Sequence, residues 1–147
     1  MTHWALRRIF LSLSKIYNEL KDNQLAMENA ESALSVFTET DNKFGMAEAN
    51  CQLGKVHLQN NDKVKADGFF EKSRAILRGL PFQPAMPAVF KNIAIGYAAT
   101  GDFMKAYNAY SDYAAAKDSL FSNEKSRALV VEYCQSRPKS LDVSRSV

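Results

Sequence analysis

The sequence repeats itself at a spacing of 40 residues, and this repeat restricts the chain to a small set of folds. In the central copy, Leu53 and Gly54 pair a large apolar residue with a very small one, and a polar turn ends at Asp62, a good N-cap for a following helix. Ala66 and Phe70 then recur at the spacing of one buried helical stripe. Seven positions of this copy recur 40 residues away in both directions. In the central copy they are Leu53, Gly54, His57, Asp62, Ala66, Phe70 and Ser73. The same positions are occupied by Leu13, Ser14, Tyr17, Asp22, Ala26, Ala30 and Ala33 in the first copy, and by Ile93, Ala94, Tyr97, Asp102, Ala106, Tyr110 and Tyr113 in the third.

These copies predict an all-α array of helix pairs over residues 4–40, 43–79 and 84–117. Four aromatic residues of the sixth helix, Phe103, Tyr107, Tyr110 and Tyr113, are expected mostly in the core. A seventh helix is expected over residues 119–134, where its narrow apolar stripe would cap the exposed end of the third pair. Residues 4–134 would then form one domain. Residues 135–147 contain a proline, four serines and few apolar side chains, which predicts a disordered tail.

The composition argues against several functional classes. A chain of 147 residues with a net charge of +3 is too weakly basic to suggest nucleic acid or an anionic membrane as a partner. No run of about 18 apolar residues occurs, so no membrane span is expected. The possible soft metal ligands are only His3, His57, Cys51 and Cys134, and we expect neither a metal nor a cofactor. The expected compartment is the cytoplasm, with the periplasm left open if the chain is part of a bacterial sensor.

No set of residues assembles a catalytic site, so we predict that the chain is not an enzyme. Cys51 and His57 are six residues apart and would lie about 240° apart around a helix, too far for a nucleophile and its base. The three repeated aspartates, Asp22, Asp62 and Asp102, each precede a helix and are expected to cap it.

The repeated pattern resembles the tetratricopeptide repeat, best at Leu53, Gly54, Ala66 and Phe70. That repeat is about 34 residues long, and the longer spacing here is similar to the longer-helix variants found in several signalling regulators. The chain departs from the pattern at Tyr113, where a small residue is usual. The resemblance implies a right-handed superhelical array whose inner side is formed by the first helix of each pair.

The end of the array carries a second resemblance. The segment 117–127, KDSLFSNEKSR, is similar to the segment that closes the repeat array in bacterial sensor histidine kinases and transcription regulators. In such proteins a long helix leads on to a membrane span or an output domain. The chain departs from this pattern after about Ala128, so the resemblance implies a sensory part without its output domain.

By resemblance to the family positions, the first helices also supply the candidates for a binding groove. Particular lysines, asparagines and an arginine would be needed to clamp a terminal carboxylate, and that pattern is absent. What remains is a mildly basic groove rich in amides, whose side chains are either partner contacts or ordinary solvated surface. The candidate residues for binding a peptide are Arg8, Lys15, Asn18, Gln52, Lys55, Gln59, Lys91 and Asn92.

Two functions follow as hypotheses. The first is a non-catalytic protein-interaction scaffold that holds a peptide or helix of a partner, for which the lysines favour an acidic segment. The alternative is a sensory or regulatory repeat domain of a bacterial signal-transduction protein. Self-association is also expected as a possibility, because no preceding repeat covers the first helix.

Overall fold

The structure is a computed structural model that describes the backbone of residues 3–136 and the side chains of residues 5–136. Within that range it contains six helices and no strand. They are α1 (His3–Glu19), α2 (Asn23–Glu39), α3 (Lys43–Gln59), α4 (Lys63–Arg78), α5 (Met86–Thr100) and α6 (Phe103–Ser136). Each helix packs against the next along the chain, and α3 also contacts both α1 and α5. The predicted all-α array of three helix pairs is confirmed.

The turns between paired helices are built as the aspartates predict. The side chains of Asp22, Asp62 and Asp102 each accept a hydrogen bond of 3.1 Å from the backbone N–H three residues on. The turn residues Lys21, Asn61 and Gly101 have positive φ, which lets the backbone reverse direction within a few residues. The repeat in sequence is therefore a repeat in backbone conformation.

A phenylalanine wedge fixes the spacing between the second and third pairs. The Phe70 side chain is 0% exposed. A Cβ placed on Gly54 would lie 2.7 Å from the Phe70 ring, and one placed on Gly96 would clash with the same ring. Phe70 also meets Tyr97 edge-on, with ring centroids 5.7 Å apart. Two glycines on different helices thus make room for one ring, which joins α3, α4 and α5.

The prediction of a separate seventh helix is wrong, because α6 continues without a break for 34 residues. The segment around Lys117–Ser122 contains neither glycine nor proline, and the Ser119 hydroxyl donates to the carbonyl of Ala115 instead of capping a new helix. The segment 121–136 is exposed throughout, so it caps nothing in this structure. Residues 135 and 136 of the predicted tail are helical, and residues 137–147 lie outside the described part of the chain.

The aromatic residues of α6 also differ from the prediction. The side chains of Phe103, Tyr107 and Tyr110 are 72%, 69% and 57% exposed, and only Tyr113 is half-buried. Tyr110 stands at the repeat position of Phe70, which is buried because α5 covers it. Among the described residues no following helix covers α6 in the same way. The seventh helix that was predicted to cover this end of the array is absent from the described residues.

Candidate functional site

The first helices of the three pairs meet around a narrow cleft. We call it the central cleft, and its lining residues come from α1 (Lys15), α3 (Glu48, Cys51, Gln52, Lys55) and α5 (Val89, Asn92). Its free space is about 20 Å³, and a cavity needs about 10–15 Å³ to hold one water molecule. The central cleft is therefore too small to enclose an organic ligand.

The charges of the central cleft are mainly positive. Lys15 and Lys55 are its cations and Glu48 is its carboxylate. Burial raises the pKa of Glu48, while the charges of Lys15 and Arg8 act in the opposite direction. Burial is the larger effect, so the Glu48 carboxyl is a weaker acid in the folded protein than in the unfolded chain.

Two amide side chains, those of Gln52 and Asn92, also line the central cleft. Gln52 is 2% exposed, and its amide nitrogen has no hydrogen-bond partner among the described residues. Asn92 lies nearby on α5 and is half-buried. A buried amide without a partner is costly, so an acceptor at this position would be favourable.

The structure separates two predicted residues from the cleft. Asn18 is 8% exposed, and its backbone carbonyl accepts a hydrogen bond of 2.7 Å from the Gln59 side chain. This contact ties the ends of α1 and α3 together. Asn18 and Gln59 are thus bonded to each other, and neither lines the central cleft.

Lys91 and Arg8 lie near the cleft but outside it. Lys91 occupies the repeat position of Leu11 and Cys51, both of which are buried. Lys91 is exposed on α5, which is the first helix of the third pair and is followed by no further pair among the described residues. Arg8 lines a second cavity that shares Glu48 with the central cleft.

This second cavity, which we call the end pocket, has a volume of about 200 Å³. Arg7 and Arg8 stand beside Leu11, Phe37 and Phe44 in its wall, and Asn42, Gly45, Glu48 and Ala85 complete the lining. Sequence reasoning missed Phe37, because it belongs to a second helix. The sequence feature that could have indicated Phe37 is Gly45, because only glycine, which has no side chain, lets the Phe37 ring lie so close to α3.

A third cavity of about 190 Å³ lies between α4, α5 and α6, and its lining includes the cations Arg74, Arg78 and Lys105. Lys105 bonds to Asp67 and Glu71 at 2.7 and 2.6 Å, and these bonds raise its pKa. Arg74 bonds to Asp112 at 2.6 Å. Two of the three cations of this cavity therefore already have carboxylate partners.

Neither Cys51 nor His57 has the environment of a reactive group. Burial raises the pKa of the Cys51 thiol to about 12. His57 stacks on Phe69 with ring centroids 5.1 Å apart, and burial lowers its pKa. Within residues 5–136 no cluster of three or more His, Cys, Asp or Glu side chains is placed to hold a metal ion.

We expect alkylation to distinguish the two cysteines. At pH 8 the buried Cys51 remains protonated, because this pH is far below its pKa of about 12, whereas Cys134 is exposed. Iodoacetamide should therefore modify Cys134 first in the native protein, and both residues after denaturation. Mass spectrometry of the digested protein gives the measurement, and equal labelling of Cys51 in the native state would show that the central cleft opens.

Comparison with solved structures places this fold among tetratricopeptide-repeat proteins. The TPR domain of Arabidopsis FLU matches with a TM-score of 0.63 and 18% identity, over 80% of this chain and 99% of that one. BtubC (BKLC) from P. vanneervenii matches with a TM-score of 0.63 and 24% identity, over 78% of this chain and 47% of that one. Searches of protein-family models and of curated proteins find no match.

The chain is therefore a tetratricopeptide-repeat-like protein by fold. These structures do not support the second resemblance, to the repeat domains of bacterial sensor kinases and transcription regulators. Within residues 3–136, none of the helices combines the length and hydrophobicity needed to cross a bilayer.

Proposed function

We propose that this protein is a non-catalytic interaction scaffold that binds an acidic peptide segment along its first-helix face. One observation carries the proposal. Lys15 and Lys55, from the first and second pairs, converge on one cleft with the amides of Gln52 and Asn92. Lysine offers three donors without a fixed geometry, which suits carboxylates spaced along an extended chain.

The proposed binding is modest and sensitive to salt. Lys15 and Lys91 are exposed and Lys55 is half-buried, so each contact contributes no more than about 1 kcal/mol. Salt screens such exposed pairs, since the Debye length falls from about 10 Å at 0.1 M to about 3 Å at 1 M. Affinity therefore depends on several weak contacts made together.

A fluorescence-anisotropy titration tests the proposal directly. The probe is a short labelled peptide of alternating Glu and Ser, and the control probe has Lys in place of each Glu. We expect the acidic peptide alone to bind, and its affinity to fall as salt is raised. Equal binding of both peptides, or of neither, would contradict the proposal.

Glu48→Gln is expected to strengthen binding of the acidic peptide. Glu48 lies in the central cleft between cations, and its negative charge opposes a second carboxylate there. The raised pKa also means that deprotonating Glu48 destabilises the fold as pH rises through its range, so the amide should be at least as stable at pH 7. The same titration measures the affinity. Tighter binding in wild type than in the variant would place the peptide elsewhere.

The regulatory alternative has one supporting feature, the unbroken α6, which runs 34 residues beyond the last turn. A sensory or regulatory repeat domain of a bacterial signalling protein would use such a helix to reach an output domain. The reading frame around this sequence tests that alternative. Self-association through α1 also stays a prediction. Ile9 and Ile16 are exposed on this helix, and sedimentation at increasing concentration would reveal an association.

A further inference from the structure

The end pocket places two arginines, Arg7 and Arg8, and one carboxylate, Glu48, around an apolar wall. Leu11 and Phe37 are buried, and Phe44 is half-buried. Within residues 5–136 no carboxylate oxygen lies within 4.0 Å of the Arg7 or Arg8 guanidinium. Arg7 instead donates a hydrogen bond of 3.2 Å to the Thr40 hydroxyl and lies over the Phe37 ring.

The size of the end pocket sets what could enter it. Its volume is about 200 Å³, whereas an apolar cavity of about 150 Å³ accepts a benzene ring. A phenylalanine or leucine side chain therefore fits. The end pocket shares Glu48 with the central cleft, so a peptide lying across the cleft passes directly beside its mouth.

We infer that the end pocket is an anchor for one large apolar side chain of the bound segment, next to an acidic residue that pairs with Arg7 or Arg8. This inference rests on the proposed function and makes it more specific. The central cleft holds carboxylates through dispersed weak contacts, whereas the end pocket buries one side chain. Buried apolar anchors of this kind commonly dominate binding energy.

The test compares two labelled probes that differ at one position, a Glu–Ser peptide and the same peptide with its central Ser replaced by Phe. Wild-type protein should bind the Phe peptide about tenfold more tightly, the effect expected from burying part of an aromatic side chain. The variant Ala85→Trp changes an exposed residue that lines the pocket, and its indole should fill the space. This variant should lose the preference for Phe and keep wild-type affinity for the Glu–Ser peptide.

A second measurement does not depend on the variant. The amide signal of Gly45 in ¹H–¹⁵N spectra reports directly on the pocket wall, and it should shift with the Phe peptide and much less with the Glu–Ser peptide. Equal affinities for both probes with no Gly45 shift would overturn the anchor while leaving the acidic groove intact. Binding of neither probe would overturn the proposed function itself. Phenylacetate that binds as tightly as the Phe peptide would identify the pocket as a small-molecule site and also overturn the inference.

Discussion

Replacing Gly54 or Gly96 by leucine is expected to lower the free energy of unfolding by about 1–3 kcal/mol, the usual range for overpacking a filled core. Both glycines face the ring of Phe70, which has no exposed surface and therefore nowhere to move. The added side chain would push α4 away from α3, or away from α5. Urea denaturation followed by circular dichroism gives the free energy for each variant.

Gly68 supplies a matched control on α4. A Cβ at Gly68 meets nothing within 4 Å, so Gly68→Ala should gain about 0.5–1 kcal/mol from helix propensity alone. Gly54→Ala receives the same gain but must also displace the Phe70 ring. In a Gly54→Leu background, Phe70→Ala should recover part of the loss, because the two changes share one space. Additive effects of Gly54→Leu and Phe70→Ala would show that the ring and the glycine are not in contact.

The repeat predicted most of the fold because each of its residues acts locally. The caps Asp22, Asp62 and Asp102 need only their own turn, and the small residues at Gly54 and Ala66 need only the adjacent helix. The boundary between the sixth and seventh helices was different. It depended on finding a stop signal near Ser119, and without glycine or proline the helix continues. The helix continues although the segment resembles one that closes the repeat array in other proteins.

The positions of the candidate site residues could be predicted in part, for a related reason. Repeat positions predicted that Lys15, Gln52, Lys55 and Asn92 lie on one surface, and these four residues line one cleft because equivalent residues on successive first helices lie side by side. They did not show that Gln59 would bond to the Asn18 carbonyl, because that contact depends on the distance between helix ends. They also did not reveal Phe37, which reaches the end pocket from a second helix.

The groove lysines carry the second large expected effect. A single replacement, Lys15→Ala for example, removes at most about 1 kcal/mol of binding energy. Replacing Lys15, Lys55 and Lys91 together should weaken binding of the acidic peptide by tens-fold, since about 1.4 kcal/mol corresponds to a factor of ten. Lys91 lies outside the central cleft on α5, so Lys15→Ala with Lys55→Ala should account for most of the loss.

A matched triple variant separates the groove from the overall charge. The exposed lysines Lys63, Lys72 and Lys125 lie on α4 and α6, away from the first-helix face, and replacing them by alanine removes the same net charge. Anisotropy titration of the Glu–Ser peptide with wild type and both triple variants, at low and at high salt, tests the central claim most directly. We predict a loss of tens-fold for the groove triple at low salt, little change for the control triple, and weak binding by all three proteins at high salt. Equal losses in both triples, or wild-type affinity in the groove triple, would contradict binding at the central cleft.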